Sequence, residues 1–373
     1  MRDRPASQGD LRAGGRLKPR LHIPHSPWVR FGVIAAIAAV VAVLLWWRGP
    51  DWNAVPDAFQ AVHWYWVAVA VGFNLLSIVL RVVAWQIVIA QAMPPPRPRF
   101  PLVFSAFCVG LLANAVLPGR IGELARVGVL TRKTPAPQNG TWATLVGTIF
   151  AHRVFDIVPS LLLIVYVLVT AKIPDWALTS LIAVVVVGSF LFLLAFLTAR
   201  RHHRSVLEEA GTLKRLITMA RFGLGIMHEP VPAAGAILFQ CAGWLCQFFA
   251  VYTAMVAFHI HEPLPAAGLV LVLMNVANIF PLWPGNVGLT QAAIALPLVQ
   301  YGVAYATGFA FGIGLQAIEA SVGVGVGLFF LGREGLSFAM LRTMPEVTEA
   351  EFHEREGGAP EPEQSRDRSR VSG

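Results

Sequence analysis

Eight ionisable side chains, Arg81, Arg120, Glu123, Arg126, His152, Arg153, Asp156 and Glu319, stand inside stretches that are otherwise apolar. A charged group at the centre of a membrane helix costs about 2.5–3.5 kcal/mol on insertion scales, so several together must pair or line water. Arg153 and Asp156 are three apart, as are Glu123 and Arg126, and that spacing lets each pair meet on one helix face. Arg81 and Arg120 are then the surplus cations. Arginine's planar donor fork matches phosphate, so these residues suggest anion binding rather than bond making. The competing reading is a set of internal ion pairs that clamp one element to another and hold no ligand.

Patterns for catalysis or metal binding do not stand out. Ser105 and Ser160 lie in apolar runs without a defined base, and there is no G-x-S-x-G, HExxH or P-loop pattern. His152 has the chemistry of a general base, but an imidazole bonded to a neighbouring helix is the expectation. His259, His261 and Glu262 read as a wet connector, and no other His, Cys, Asp or Glu cluster has metal-ligand spacing. Neither an enzyme nor a bound cofactor is expected.

The elements that must hold these residues are interrupted. One break reads Asn114-Ala-Val-Leu-Pro118-Gly119-Arg120-Ile-Gly122-Glu123-Leu-Ala-Arg126, and a near-copy reads Asn278-Ile-Phe-Pro281-Leu-Trp-Pro284-Gly285-Asn286-Val-Gly288-Leu-Thr290-Gln291. Proline and glycine stop a membrane helix and free backbone groups that lipid cannot satisfy, so such breaks survive only where protein or water covers them. Two in corresponding positions point to a polar site within a transporter-like bundle. A helix starting after Pro118-Gly119 also aims its positive dipole end at an anion.

Composition sets the solvent. The chain is 56% hydrophobic and 13% charged, against about 25% charged in a typical soluble domain. Its formal net charge of +8 falls between apolar runs and forms no basic stripe interleaved with aromatics, which argues against a nucleic-acid partner. Cys108, Cys241 and Cys246 all lie in apolar segments and read as small buried hydrophobes.

Six stretches are long enough to span a core that needs about 20 apolar residues: 29–47, 62–90, 142–169, 178–198, 231–258 and 303–331. The apolar stretches 102–130 and 264–299 contain the breaks and read as re-entrant or broken-helix hairpins. The expected fold is thus an all-α polytopic membrane protein, with six spans and two hairpins. Basic residues at the N-terminus, at Arg97/Arg99, Arg132/Lys133, 200–221 and Arg333 alternate with segments holding only Arg48 and Lys172. The positive-inside rule then places both termini in the cytoplasm. Residues 1–28 and 336–373 are expected as flexible cytoplasmic tails flanking a membrane domain at 29–335. Residues 206–224 suit either an amphipathic helix on the inner leaflet or a solvated connector.

Equal spacings suggest an inverted repeat. Arg81 precedes Pro118 by 37 positions, as Gln247 precedes Pro284; Arg153 follows Pro118 by 35, as Glu319 follows Pro284. Three spans per half would bring the second half in with opposite orientation. Ser321, Gly323, Gly325 and Gly327 suggest close helix packing in the last span.

Four pieces of this pattern resemble the lysylphosphatidylglycerol synthase transmembrane-region family of flippase-like membrane proteins. They are Leu117-Pro-Gly-Arg-Ile-Gly-Glu-Leu-Ala-Arg126, His152-Arg-Val-Phe-Asp156, Pro284-Gly-Asn-Val-Gly288 and Leu80-Arg81-Val-Val-Ala-Trp85. The resemblance spans roughly residues 29–335. It implies a membrane domain that moves a polar lipid headgroup between leaflets of the plasma (inner) membrane. The chain differs from the family's usual pattern at Asn286, Thr290-Gln291, Gln316 and Glu319. A soluble synthase domain, present in some relatives, has no counterpart here, so synthase activity is not expected.

The expected function is a lipid flippase. Arg81, Arg120, Glu123, Arg126, Arg153 and Asp156 would surround the headgroup, Arg120 and Arg81 would hold its phosphate, and membrane lipids would be the partners. Gln247, Asn286, Gln291 and Glu319 supply the polar counterparts in the second half. Two rivals stand beside it: an integral-membrane enzyme on lipid-linked substrates, and a non-catalytic partner of an envelope-lipid biosynthesis enzyme.

Overall fold

The structure, a computed structural model, describes residues 54–116, 122–134, 141–174, 230–278 and 286–333, with isolated positions besides. Nine helices follow one another in these segments, all within the compact unit Pro50–Gly373. They are α1 (Ala54–Gln60), α2 (Trp64–Ala92), α3 (Phe100–Val116), α4 (Gly122–Lys133), α5 (Thr141–Thr170), α6 (Pro230–Ala257), α7 (Leu264–Ala277), α8 (Leu289–Val299) and α9 (Tyr305–Arg333). No strand occurs among the described residues.

Four helices, α2, α5, α6 and α9, are long and apolar enough to cross a bilayer. A 29-residue helix such as α2 is about 43 Å long at 1.5 Å per residue, against a hydrocarbon core of about 30 Å. Large apolar side chains point outward along them, with Val169 79%, Leu238 68% and Phe329 66% exposed. Such an exterior suits lipid and would be a liability in water. The expected span 29–47 and most of 178–198 lie outside the described residues, as do 206–224 and both tails.

At the centre, α2 and α6 run antiparallel. His63 N donates to Ala257 O at 3.0 Å at one end. Midway, Ser77 Oγ donates to Gln247 Oε1 at 3.3 Å, and towards the other end Gly235 faces Ile87. Glycine at 243 is what lets the helices close here, since a Cβ there would stand 2.9 Å from Arg81 Cγ.

The two interrupted stretches form hairpins, α3–α4 and α7–α8. Their helices hold 17, 12, 14 and 11 residues, too few to cross singly. In the first, a Cβ on Gly122 would collide with Gly110 O and come 2.7 Å from Asn114 Oδ1. The breaks at Pro118-Gly119-Arg120 and Pro284-Gly285 lie outside the described residues, but an asparagine ties the flanks of each. Asn114 Oδ1 accepts from Gly122 N at 2.9 Å, and Asn278 Oδ1 accepts from Asn286 Nδ2 at 3.4 Å. Asn286 and Gly288 take positive φ, 44° and 90°, and Gly288 N donates to Gln291 Oε1 at 2.6 Å, closing the start of α8.

The helices recur at a nearly constant offset. α2 and α6 begin at 64 and 230, α4 and α8 at 122 and 289, and α5 and α9 at 141 and 305. Packing is exchanged between the halves. The α3 helix of the first hairpin lies on α9, where a Cβ on Gly327 would meet Leu112 Cβ at 2.6 Å and Cys108 O at 2.8 Å. The α7 helix of the second lies on α5, with Gly268 against Val167, Tyr166 and, from α6, Phe248. Of the small residues in α9, Gly327 makes a close approach while Gly325 faces open space. Three apolar cores result among the described residues, around Trp85, Phe107 and Leu130, around Met255, Leu271 and Phe311, and around Val167, Leu269 and Leu273.

Candidate functional site

The first hairpin brings its charges against α2 and α5. Arg81 from α2, Asn114 from α3, Glu123 and Arg126 from α4, and Arg153 and Asp156 from α5 line one cavity of about 70 Å³. A single water needs about 10–15 Å³ of such space, so the cavity has room for several waters or one small oxyanion. Sequence reasoning placed five of these six at the site; Asn114 and the residues that hold the arginines from behind are additions.

Arg153 carries the ion pairs. Its guanidinium bonds Glu123 Oε1 through Nη2 and Asp156 Oδ2 through Nη1, the latter at 3.3 Å. The expected Arg153–Asp156 pair is therefore present. The expected Glu123–Arg126 pair is not. Three positions apart on α4, the two side chains diverge: Glu123 faces α5 and takes Arg153, while Arg126 turns into the aromatic wall behind.

Arg126 is 5% exposed. Its guanidinium carbon lies 4.6 Å from the Trp85 ring centre and 5.3 Å from that of Phe107. Trp85 is fixed by donating Nε1–H to Thr148 Oγ1 at 3.1 Å. Arg126 Nε and Nη2 are buried without a hydrogen-bond partner, and no carboxylate lies within ion-pair distance among the described residues. The surplus cations are thus Arg81 and Arg126; Arg120 lies outside the described residues. His152, 3% exposed, sets its ring edge-on to Phe107 at 6.2 Å. Its Nδ1 has no partner among the described residues.

Arg81 stands at the junction of the halves. Its guanidinium lies 5.2 Å from the Trp244 ring centre, and its Nε is buried without a partner. It interacts electrostatically with Asp156 on one side and Glu319 on the other. Asp156 accepts three hydrogen bonds: Oδ1 accepts from Gln240 Nε2 and from Trp244 Nε1 (2.9 Å), and Oδ2 accepts from Arg153. Glu319 Oε1 accepts from Gln247 Nε2 at 2.8 Å. Gln240, Trp244 and Gln247 occupy one face of α6 at four- and three-residue steps. That spacing is visible in the sequence and was the signal for Gln240 and Trp244, which sequence reasoning missed.

The remaining predicted residues form their own cluster at the second hairpin. Gln291 Nε2 donates to Gln316 Oε1, and Asn286 Nδ2 donates to Ala277 O at 3.2 Å. Neutral amides here occupy the place that charges hold in the first half. At the loop between α6 and α7, His259 and His261 bond backbone carbonyls of Ala61 and His259.

The family model described as Lysylphosphatidylglycerol synthase TM region matches residues 33–327. No curated protein and no solved structure matches the chain.

Proposed function

The chain belongs to the lysylphosphatidylglycerol synthase transmembrane-region family, and on that premise we propose that it is a lipid flippase for an anionic, phosphate-containing headgroup. The observation that carries this reading is Arg126, buried, braced by two aromatic rings, and without a carboxylate partner among the described residues at the wall of a polar cavity. A buried cation left unpaired is costly, and an entering phosphate would supply the missing charge and acceptors. Because the rings already hold the guanidinium, little side-chain freedom would be lost on binding.

The headgroup would sit against Arg126 and Arg81 while its acyl or prenyl chains stay in the bilayer, with Arg120 of the first break joining them. Glu123 and Asp156 would hold Arg153 out of that task and limit the positive field, so that phosphate can leave again. This is carriage between leaflets and not catalysis. We place the protein in the inner membrane with both termini in the cytoplasm, following the distribution of basic residues.

The test is flipping of a fluorescent short-chain phosphatidylglycerol in proteoliposomes, read by the fraction reached by an impermeant reductant. The wild type should expose both leaflets, and Arg126→Gln and Arg81→Gln should slow flipping at least about tenfold, the equivalent of 1.4 kcal/mol. Unchanged rates in both variants, each still monodisperse in detergent, would remove this cavity from lipid movement.

A further inference from the structure

Two carboxylates flank Arg81, and their surroundings differ in a way that carries a consequence. Asp156, from the first half, has both oxygens occupied by donors: Gln240 and Trp244 on Oδ1, Arg153 on Oδ2. Three donors favour the charged form of this carboxylate over the protonated one. Glu319, from the second half, accepts one hydrogen bond, from Gln247, on Oε1. Among the described residues its Oε2 has no hydrogen-bond partner, and no cation lies within ion-pair distance. A proton can sit on Oε2 without breaking the chain Ser77–Gln247–Glu319.

We propose that Glu319 is a proton-binding site, and that its proton is exchanged for the field of Arg81 when an anion occupies the cavity. With the cavity empty, the Arg81 cation favours the charged form of Glu319. An oxyanion bound at Arg81 neutralises that field. Charge on a carboxylate inside a bilayer must then be met by another partner, and Oε2 takes a proton from water. When the anion leaves, Arg81 regains its free charge and the proton returns to the water. One anion and one proton would therefore travel together, which gives the lipid carrier a coupling ion.

The neighbours permit this assignment. Of the elements packed on α9, α2 contributes Arg81, α6 the neutral Gln247, α8 the neutral Gln291, α3 the thiol of Cys108 and α1 Asp57. Arg81 is the charged group that acts on Glu319. The anion arm of the inference rests on the carrier reading above; proton binding at Glu319 does not.

Infrared difference spectroscopy on the full chain in detergent separates the two. Titrated through the neutral range, the wild type should show the carbonyl-stretch band of a protonated carboxylic acid, absent from Glu319→Gln. Dodecyl phosphate should enlarge this band in the wild type and leave Glu319→Gln and Arg81→Gln unchanged. A band that survives in Glu319→Gln overturns the proton site, whatever the lipid result. A band that belongs to Glu319 but ignores dodecyl phosphate overturns the exchange with Arg81. In proteoliposomes, an imposed pH gradient should change the wild-type flipping rate several-fold and leave that of Glu319→Gln unaffected. Loss of flipping in every sample, with the infrared band intact, would instead sink the flippase reading and spare the proton site.

Discussion

Trp85 and Arg126 form a stack in which the guanidinium carbon lies 4.6 Å from the indole ring centre, while the indole N–H is held by Thr148. Both side chains are buried, and they come from α2 and α4. The stack therefore joins a spanning helix to the short arm of the first hairpin. It also sets where Arg126 faces the cavity.

Trp85→Phe should retain much of the apolar contact and lose the hydrogen bond to Thr148, at a cost of about 1 kcal/mol plus the smaller ring. Trp85→Ala should cost about 3–5 kcal/mol, as large-to-small changes in a packed core do. Thermal unfolding in detergent checks the order. Binding of dodecyl phosphate should weaken more than in Trp85→Phe, because Arg126 loses its brace.

Gly122 and Gly325 should respond oppositely to the same substitution. In Gly122→Ala the new methyl group would meet Gly110 O and Asn114, so the hairpin cannot close without backbone movement, and overpacking of this kind costs about 1–3 kcal/mol. Gly325→Ala faces open space and should be neutral or stabilising by up to about 1 kcal/mol, since alanine is the better helix former. Melting temperatures of the two variants, measured side by side, decide the matter. Equal losses would mean that the close approach of α3 and α4 is misplaced.

The spans were legible because long apolar runs are a strong signal. The sequence stretches 62–90, 142–169, 231–258 and 303–331 meet helices at Trp64–Ala92, Thr141–Thr170, Pro230–Ala257 and Tyr305–Arg333. Hairpins were legible too, from Pro-Gly breaks that no lipid-facing helix tolerates. Partner choice among the charges was not. Three-residue spacing found Arg153 with Asp156 but wrongly joined Glu123 to Arg126, because a helix face says nothing of what the neighbouring helix offers. The short helix Ala54–Gln60 also went unseen, since seven residues give too little periodicity to stand out.

Asp156→Asn keeps the shape of the side chain but replaces one acceptor oxygen with a donor. Gln240, Trp244 and Arg153 all present donors to this position, so at least one must lose its bond. A buried donor left without a partner costs about 1–3 kcal/mol, more beside a charge. The loss should appear in thermal unfolding and as a shift in Trp244 emission. Adding Trp244→Phe to Asp156→Asn should cost less than it does in the wild type, because the bond it removes is already weakened. Strict additivity would show that Trp244 and Asp156 do not interact.

The proposed orientation in the membrane can be tested at the two ends of the central pair. His259 Nε2 contacts Ala61 O at 2.7 Å, and His63 N bonds Ala257 O, so the loop after α6 lies beside the start of α2. Arg97, which donates Nε–H to Met93 O at 2.9 Å, lies past the far end of α2. A 29-residue helix separates these loops, and the basic residues favour the Arg97 side as cytoplasmic. His261→Cys, in a chain whose Cys108, Cys241 and Cys246 are replaced, should react with an impermeant maleimide on intact cells. Arg97→Cys should react only after the membrane is opened. Reversed labelling would invert the protein in the membrane, while labelling of both on intact cells would mean that α2 does not span.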